Sequence, residues 1–239
     1  MSELRPEDIT FPPLMWGEEV TRDAMDHAVQ KAIIGCDAGF IAYSLGPSKM
    51  EAALVFAPEV PLANAMAMLP LCGVGLQNAL GAIAPPEVAV HLEWSGAIRV
   101  NGATCGQLKV RSATEHPTDV PDWLVVGLEL SLLPDSDNPG ETPDQTCLYN
   151  EGCADVAAPV LMEAWARHTL NWITRWEDTG SRALHAEWRG LVHGMGEDTS
   201  QDGKAGTFLG VDEDFGMLLR NASGETQLLP LTMLLEAET

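Results

Sequence analysis

Apolar residues recur at helical spacing between Thr21 and Ile34, at Ala24, Met25, Ala28, Val29 and Ala32. This predicts a helix of about three turns, with Thr21 or Asp23 as its cap and Gly35 at its end. FIAYSL (40–45) then reads as a strand, and MEAALVFAP (50–58) is so continuously apolar that it reads as a strand covered on both faces. From Pro61 to Ile83 nearly every position is apolar, which predicts a buried helix closed by Pro85-Pro86. Its GVGLQN (73–78) lacks the third glycine of a dinucleotide fingerprint and falls inside the helix, so close packing accounts for the glycines.

Three strands follow at 88–94, 97–102 and 104–112, and Asn101-Gly102 supplies the positive-φ pair that a tight hairpin prefers. WLVVGLELSLL (123–133) reads as another buried strand, and the acids of the Pro- and Gly-rich loop that follows, through 144, as solvated charges. Over 156–178, Leu161, Trp165, His168, Trp172 and Trp176 form one helical stripe, which predicts a core-facing helix. After Gly180 the chain is expected to change to short strands in LVHGMGE, GTFLGVD, FGMLLRN and TQLLPLT, a small β-barrel. The fold class is therefore α+β, a mixed sheet with helices over 1–181 followed by a small SH3-like barrel over 182–239.

With 239 residues the chain is long enough for one substantial core. Its 13 basic residues are scattered among 35 acidic ones, a net charge of -22, which excludes a nucleic acid partner and disfavours an anionic membrane. Five cysteines, odd in number and without metal spacing, fit free thiols in a reducing cytoplasm. The first residues show no basic region leading into an apolar stretch, so a soluble cytoplasmic protein is expected. His185, His193 and Glu187 match no metal-ligand spacing, and no metal or cofactor is expected.

EVAVHLEWSGAIRVNGATCGQL (87–108) resembles the stretch of biotin protein ligases in which a KWPND motif leads through a hairpin to a KxxG strand, with Trp94, the turn and Gly106 in register. WLVVGLELS (123–131) is similar to that family's next strand, with Gly127 in place, and TCLYNEG (146–152) to the segment before its long helix. TFLGVDEDFGMLLR (207–220) resembles the central hairpin of its C-terminal barrel, and DAMDHAVQKA (23–32) the first helix of lipoate and octanoyl transfer relatives. The resemblance spans about residues 20–239 and implies the core shared by class II aminoacyl-tRNA synthetases and biotin ligases. It also implies a pocket lined by Trp94, Gly106, Gln107, Leu108 and Gly127, where bare backbone lets a ligand approach closely.

The departures bear on chemistry. The family's KxxG lysine is Ala103 here, KWPND reads EWSGA (93–97), and the Gly- and Arg-rich loop over the adenylate shrinks to GPSK (46–49). A cation at that lysine would stabilise the charge that builds on carboxylate and phosphate during adenylation. Two functions are then expected: a non-adenylating module that binds a small carboxylic or acyl ligand or a protein, or an ATP-independent acyltransferase using Cys147 or Cys105 as the thiol. Lys109 lies on the strand beside the implied pocket, in a direction that sequence leaves open.

Overall fold

A computed structural model describes residues 9–134 and 142–236. Residues 1–8, and with them most of the first dozen polar residues that end in Pro12-Pro13 and read as an extended lead-in, lie outside the described residues, as do 135–141 of the acidic loop. Asp23 caps the first helix, α1 (Ala24–Ile33), by accepting from the Asp26 amide at 2.8 Å. Before it comes β1 (Trp16–Glu19), a four-residue edge strand that the hydrophobic pattern does not signal. The chain continues through β2 (Phe40–Leu45), β3 (Lys49–Phe56), a short α2 (Leu62–Ala65) and α3 (Met68–Ile83), so the expected single helix from Pro61 is broken near Met66. Then come β4 (Val90–Leu92), β5 (Ala97–Val100), β6 (Ala103–Ser112), β7 (Leu124–Ser131) and α4 (Ala158–Thr179).

The seven strands form one mixed sheet in the order β1-β2-β3-β7-β6-β5-β4, in which only β1 and β2 run parallel. Alternation sorts its side chains. Ile41, Met50, Leu54, Val126, Leu128, Leu108 and Val110 face the main core beneath α3 and α4. Phe40, Ala42, Ala53, Val55 and Val125 face α1 instead, against Ala24, Met25, Ala28 and Ala32. α1 packs on β2, β3 and β7. The α1 face of β6 is therefore left open to polar side chains.

The glycines at 73 and 75 act as expected. A Cβ on Gly75 would lie 3.1 Å from Thr169 Cα on α4, and one on Gly73 3.0 Å from Leu92 and Leu108 of the sheet. The three indoles of α4 are also tied to protein: Trp165 Nε1 donates to the Cys72 carbonyl at 3.2 Å, Trp172 Nε1 to Asn78 Oδ1 at 2.9 Å and Trp176 Nε1 to Ser181 Oγ at 3.2 Å. The stripe is a helix-packing surface. Residues Leu62–Ile83 are long and apolar enough to cross a membrane, but most of that window is buried here in the core.

One expectation is corrected after Gly180. Residues Ser181–Leu191 form a helix, α5, because Leu184 and Trp188 lie one turn apart and bury one face while charged residues take the other. LVHGMGE is accordingly not a strand. The strands begin later: β8 (Asp198–Gln201), β9 (Lys204–Val211), β10 (Met217–Arg220) and β11 (Thr226–Leu229) form a four-stranded antiparallel, barrel-like sheet. It docks through Phe215, whose carbonyl accepts from Trp94 Nε1 at 2.7 Å and whose ring meets Trp188 edge-on at 6.2 Å.

The close α3–α4 contact makes a prediction. Gly75→Ala should cost about 1–3 kcal/mol in urea unfolding through overpacking. Gly81→Ala, with nothing nearer than Gln77 Nε2 at 3.9 Å, should instead gain about 0.5–1 kcal/mol from lower backbone entropy in the unfolded chain.

Candidate functional site

The uncovered part of the sheet holds a shallow cavity. Gln107, Lys109 and Arg111 of β6 line it with Gly127 and Glu129 of β7, Glu51 of β3, Met25 of α1 and Glu236. Its volume of about 50 Å³ leaves room for only a few waters at this closure. Acids outnumber cations along it, Asp23, Glu51, Glu129 and Glu236 against Lys109 and Arg111, and the cations are paired. Lys49 Nζ lies 2.8 Å from Glu51 and 3.0 Å from Glu129, while Arg111 meets Asp26 at 2.7 Å and Glu236 at 3.2 Å. Lys109 Nζ stands 3.5 Å from the other oxygen of Glu236.

Burial pulls the Arg111 guanidinium toward the neutral form, but its hydrogen bond to Asp26 and the charges of Glu236 and Asp26 outweigh this and hold its pKa above the ordinary value. Lys49 follows the same logic: burial lowers it, and its bonds to Glu51 and Glu129 raise it further. Both cations are therefore charged at neutral pH.

The structure divides the sequence-derived pocket residues between two faces. Gln107 and Gly127 border the cavity, with Gln107 Nε2 donating to the Ser95 carbonyl at 2.9 Å. The space above Gly127 is taken by Met25, whose Sδ would lie 3.1 Å from an added Cβ. Gly106 is required by its neighbour strand, since a Cβ there would lie 3.2 Å from Leu130 Cα. Trp94 and Leu108 are buried on the α3 side, lining a separate void of about 20 Å³ with Leu69, Trp188 and Phe215.

Ala103, where the resemblance implies the family's lysine, opens β6 beside the Asn101-Gly102 turn, and Lys109 is six residues further along the strand. At the rise of an extended chain that is about 20 Å, so Lys109 does not stand in for the missing lysine. Glu93, where the family has a cation, is paired with Arg99 inside the hairpin. Residues 46–48 of GPSK make the turn between β2 and β3 and Lys49 opens β3, with the Ser48 carbonyl accepting from the Leu132 amide at 2.7 Å.

Both candidate thiols are buried, Cys105 to 1% exposure and Cys147 to 2%. A register shift between β5 and β6 leaves Cys105 as the extra residue of a bulge, and its Sγ points at the Ser131 carbonyl, 3.5 Å away. Burial above all, with the negative field of Cys147, Glu151 and Cys153, pushes this thiol up to about 12. No cation offsets it. His185 packs on Phe215 and His193 on His91, and no metal-holding cluster of three or more His, Cys, Asp or Glu occurs among the described residues.

The polar residues that sequence reasoning did not assign to the site are Arg111, Glu51, Glu129, Asp26 and Glu236. For β6 a signal existed, because Gln107, Lys109 and Arg111 alternate with Leu108 and Val110. For Glu236 none did, since its partners are distant in sequence.

A mixed sheet with one helix-covered face, a partly open opposite face and a small antiparallel sheet behind it defines the biotin-ligase class of fold. The model of the Biotin/lipoate A/B protein ligase family matches residues 11–190, and the chain belongs to that family. Residues 195–237 match a Domain of unknown function (DUF4444). A biotin protein ligase-like protein of unknown function from Silicibacter sp. TM1040 is 62% identical, with 96% of this chain and 100% of that one covered at a TM-score of 0.91. Biotin protein ligase from Aquifex aeolicus shares the fold at 15% identity, covering 90% and 94% of the two chains with a TM-score of 0.71. The Leishmania major enzyme with biotinyl-5-AMP does so at 16% identity, 91% and 99% coverage and a TM-score of 0.55. No curated protein matches the chain.

At pH 8 a thiol with a pKa near 12 is ionised in about one molecule in ten thousand. Titration with a disulfide reagent should therefore register one thiol in the native protein, the partly exposed Cys36, and all five only after denaturation. Rapid native labelling of Cys105 or Cys147 would contradict this assignment.

Proposed function

We propose that this chain is a non-adenylating member of its family that binds a small, polar carboxylic acid over Gln107, Lys109 and Arg111. The observation that carries this reading is the convergence of two β6 cations on the open face of the sheet, while the family's lysine position is occupied by alanine. A carboxylate gains charge-assisted hydrogen bonds from a guanidinium and an ammonium held this way. Adenylation asks for cations where the phosphates and the reacting carboxylate meet, and Ala103, the Glu93–Arg99 pair and the four-residue GPSK turn offer none free for that task.

The Aquifex aeolicus enzyme crystallised with biotin and ATP supports a small-molecule site on this fold. The lining here argues against a long acyl tail. An apolar chain laid across Glu51, Glu129, Lys109 and Arg111 would strip water from four charges and return no hydrogen bond. Acyl transfer through a cysteine gains no support from thiols this deeply buried.

Purified protein should show no ATP–pyrophosphate exchange above a boiled control with biotin, lipoate or octanoate, and exchange with any of them would overturn the non-adenylating reading. Calorimetry with succinate should detect binding that weakens at least about tenfold, or 1.4 kcal/mol, in Lys109→Ala and Arg111→Ala. Unchanged affinity in both variants would place the ligand elsewhere.

A further inference from the structure

β5 pairs with β6 only over Ala103–Gln107, and one further bond joins Leu108 to Gly96, so the edge of β6 around Val110 is left without a strand. The chain itself fills that edge. After a 3-10 turn (Leu231–Leu234), Leu235 forms a parallel bridge with Val110, and the Glu236 amide donates to the Val110 carbonyl at 3.0 Å. This lays Glu236 beside the open face of β6, with Oε2 at 3.2 Å from Arg111 Nε and Oε1 at 3.5 Å from Lys109 Nζ.

We infer that Glu236 is a built-in stand-in for the ligand: its carboxylate fills the Lys109–Arg111 subsite, and a small carboxylate enters by exchanging with it. The inference rests on the proposal that this cavity is a carboxylate site and adds which subsite the carboxylate takes and what controls access. One carboxylate already spans both cations, one oxygen to each, so the subsite has the dimensions of that group.

The exchange is energetically easy. Lys109 and Glu236 side chains are 47% and 32% exposed and Arg111 19%, and partly exposed ion pairs of this kind are weakly held. Among the described residues the segment beyond the turn is joined to β6 by the Leu235–Val110 bridge and the Glu236 amide bond, with Leu235 packed against the core edge, and so short a pairing is a candidate for local opening. Arg111 keeps its orientation when Glu236 leaves, because Asp26 holds its other nitrogen from α1. With Glu236 withdrawn, the cavity also loses one of its lining side chains.

Succinate titrated into the full chain tests this, with inorganic phosphate as a second probe. Glu236→Gln, which keeps the side chain's size and removes its charge, should bind succinate about tenfold tighter than the unaltered protein. Asp26→Asn, which removes a carboxylate that pairs with Arg111 without occupying the subsite, should change affinity by less than about threefold. Hydrogen exchange should show the Glu236 amide losing protection when succinate is added. Equal tightening in both variants would mean that lowered negative charge alone is at work and would overturn the inference, as would full protection of that amide in the succinate complex. Tighter binding of phosphate than of succinate would overturn the assignment to carboxylates. Absence of succinate binding in every variant, Glu236→Gln included, would instead overturn the carboxylate-site reading beneath it.

Discussion

The register of β6 is the constraint on which the rest depends. Leu108 and Val110 are buried to 4% and 0% exposure beneath α3, and burying each is worth about 1.5–3 kcal/mol. Their placement forces Gln107, Lys109 and Arg111 onto the opposite face, because side chains alternate along an extended strand. A slip of one residue would drive two cations into the core, so the hydrophobic packing on one side fixes the polar site on the other. The pairing with β7 carries the same alternation across: Lys109 lies opposite Gly127 and Gln107 opposite Glu129. The missing side chain at Gly127 is matched by Met25, which brings α1 close to the rim.

The second sheet matters to the site through the path it imposes on the chain. Phe215 seats it against Trp94 and Trp188, and does so with a φ of 62°, a backbone conformation that a bulky residue adopts only when its surroundings hold it there. Leu231, buried at the start of the last turn, then directs residues 235 and 236 back onto β6. Thus Trp94, implied by the resemblance as a pocket residue, touches the site only by anchoring the sheet from which Glu236 arrives.

Much of this was legible in the sequence. The continuous apolar run of β3, the Asn101-Gly102 turn and the tryptophan stripe of α4 all carry local signals, and each produced the element expected. The family resemblance rested on the order of such elements, and the family model matches residues 11–190. α5 was hidden because Leu184 and Trp188 give only a two-turn pattern, set against a Gly-rich stretch that reads as strands and turns. The division of Trp94 and Leu108 from Gln107 and Gly127 was hidden for another reason: which face of a strand becomes the core is decided by the helices that cover it, not by the strand. Glu236 lies 125 residues from Arg111, and no local pattern announces a contact of that span.

We propose that the ligand site lies on the α1 face of β6 and receives a carboxylate there. A crystal structure of the protein grown with succinate tests it most directly. Succinate density is expected with one carboxylate on Lys109 and Arg111 and the Glu236 side chain turned away from them. Succinate seated instead near Ala103 at the start of β6, or on the α3 side by Trp94 and Leu108, would contradict it.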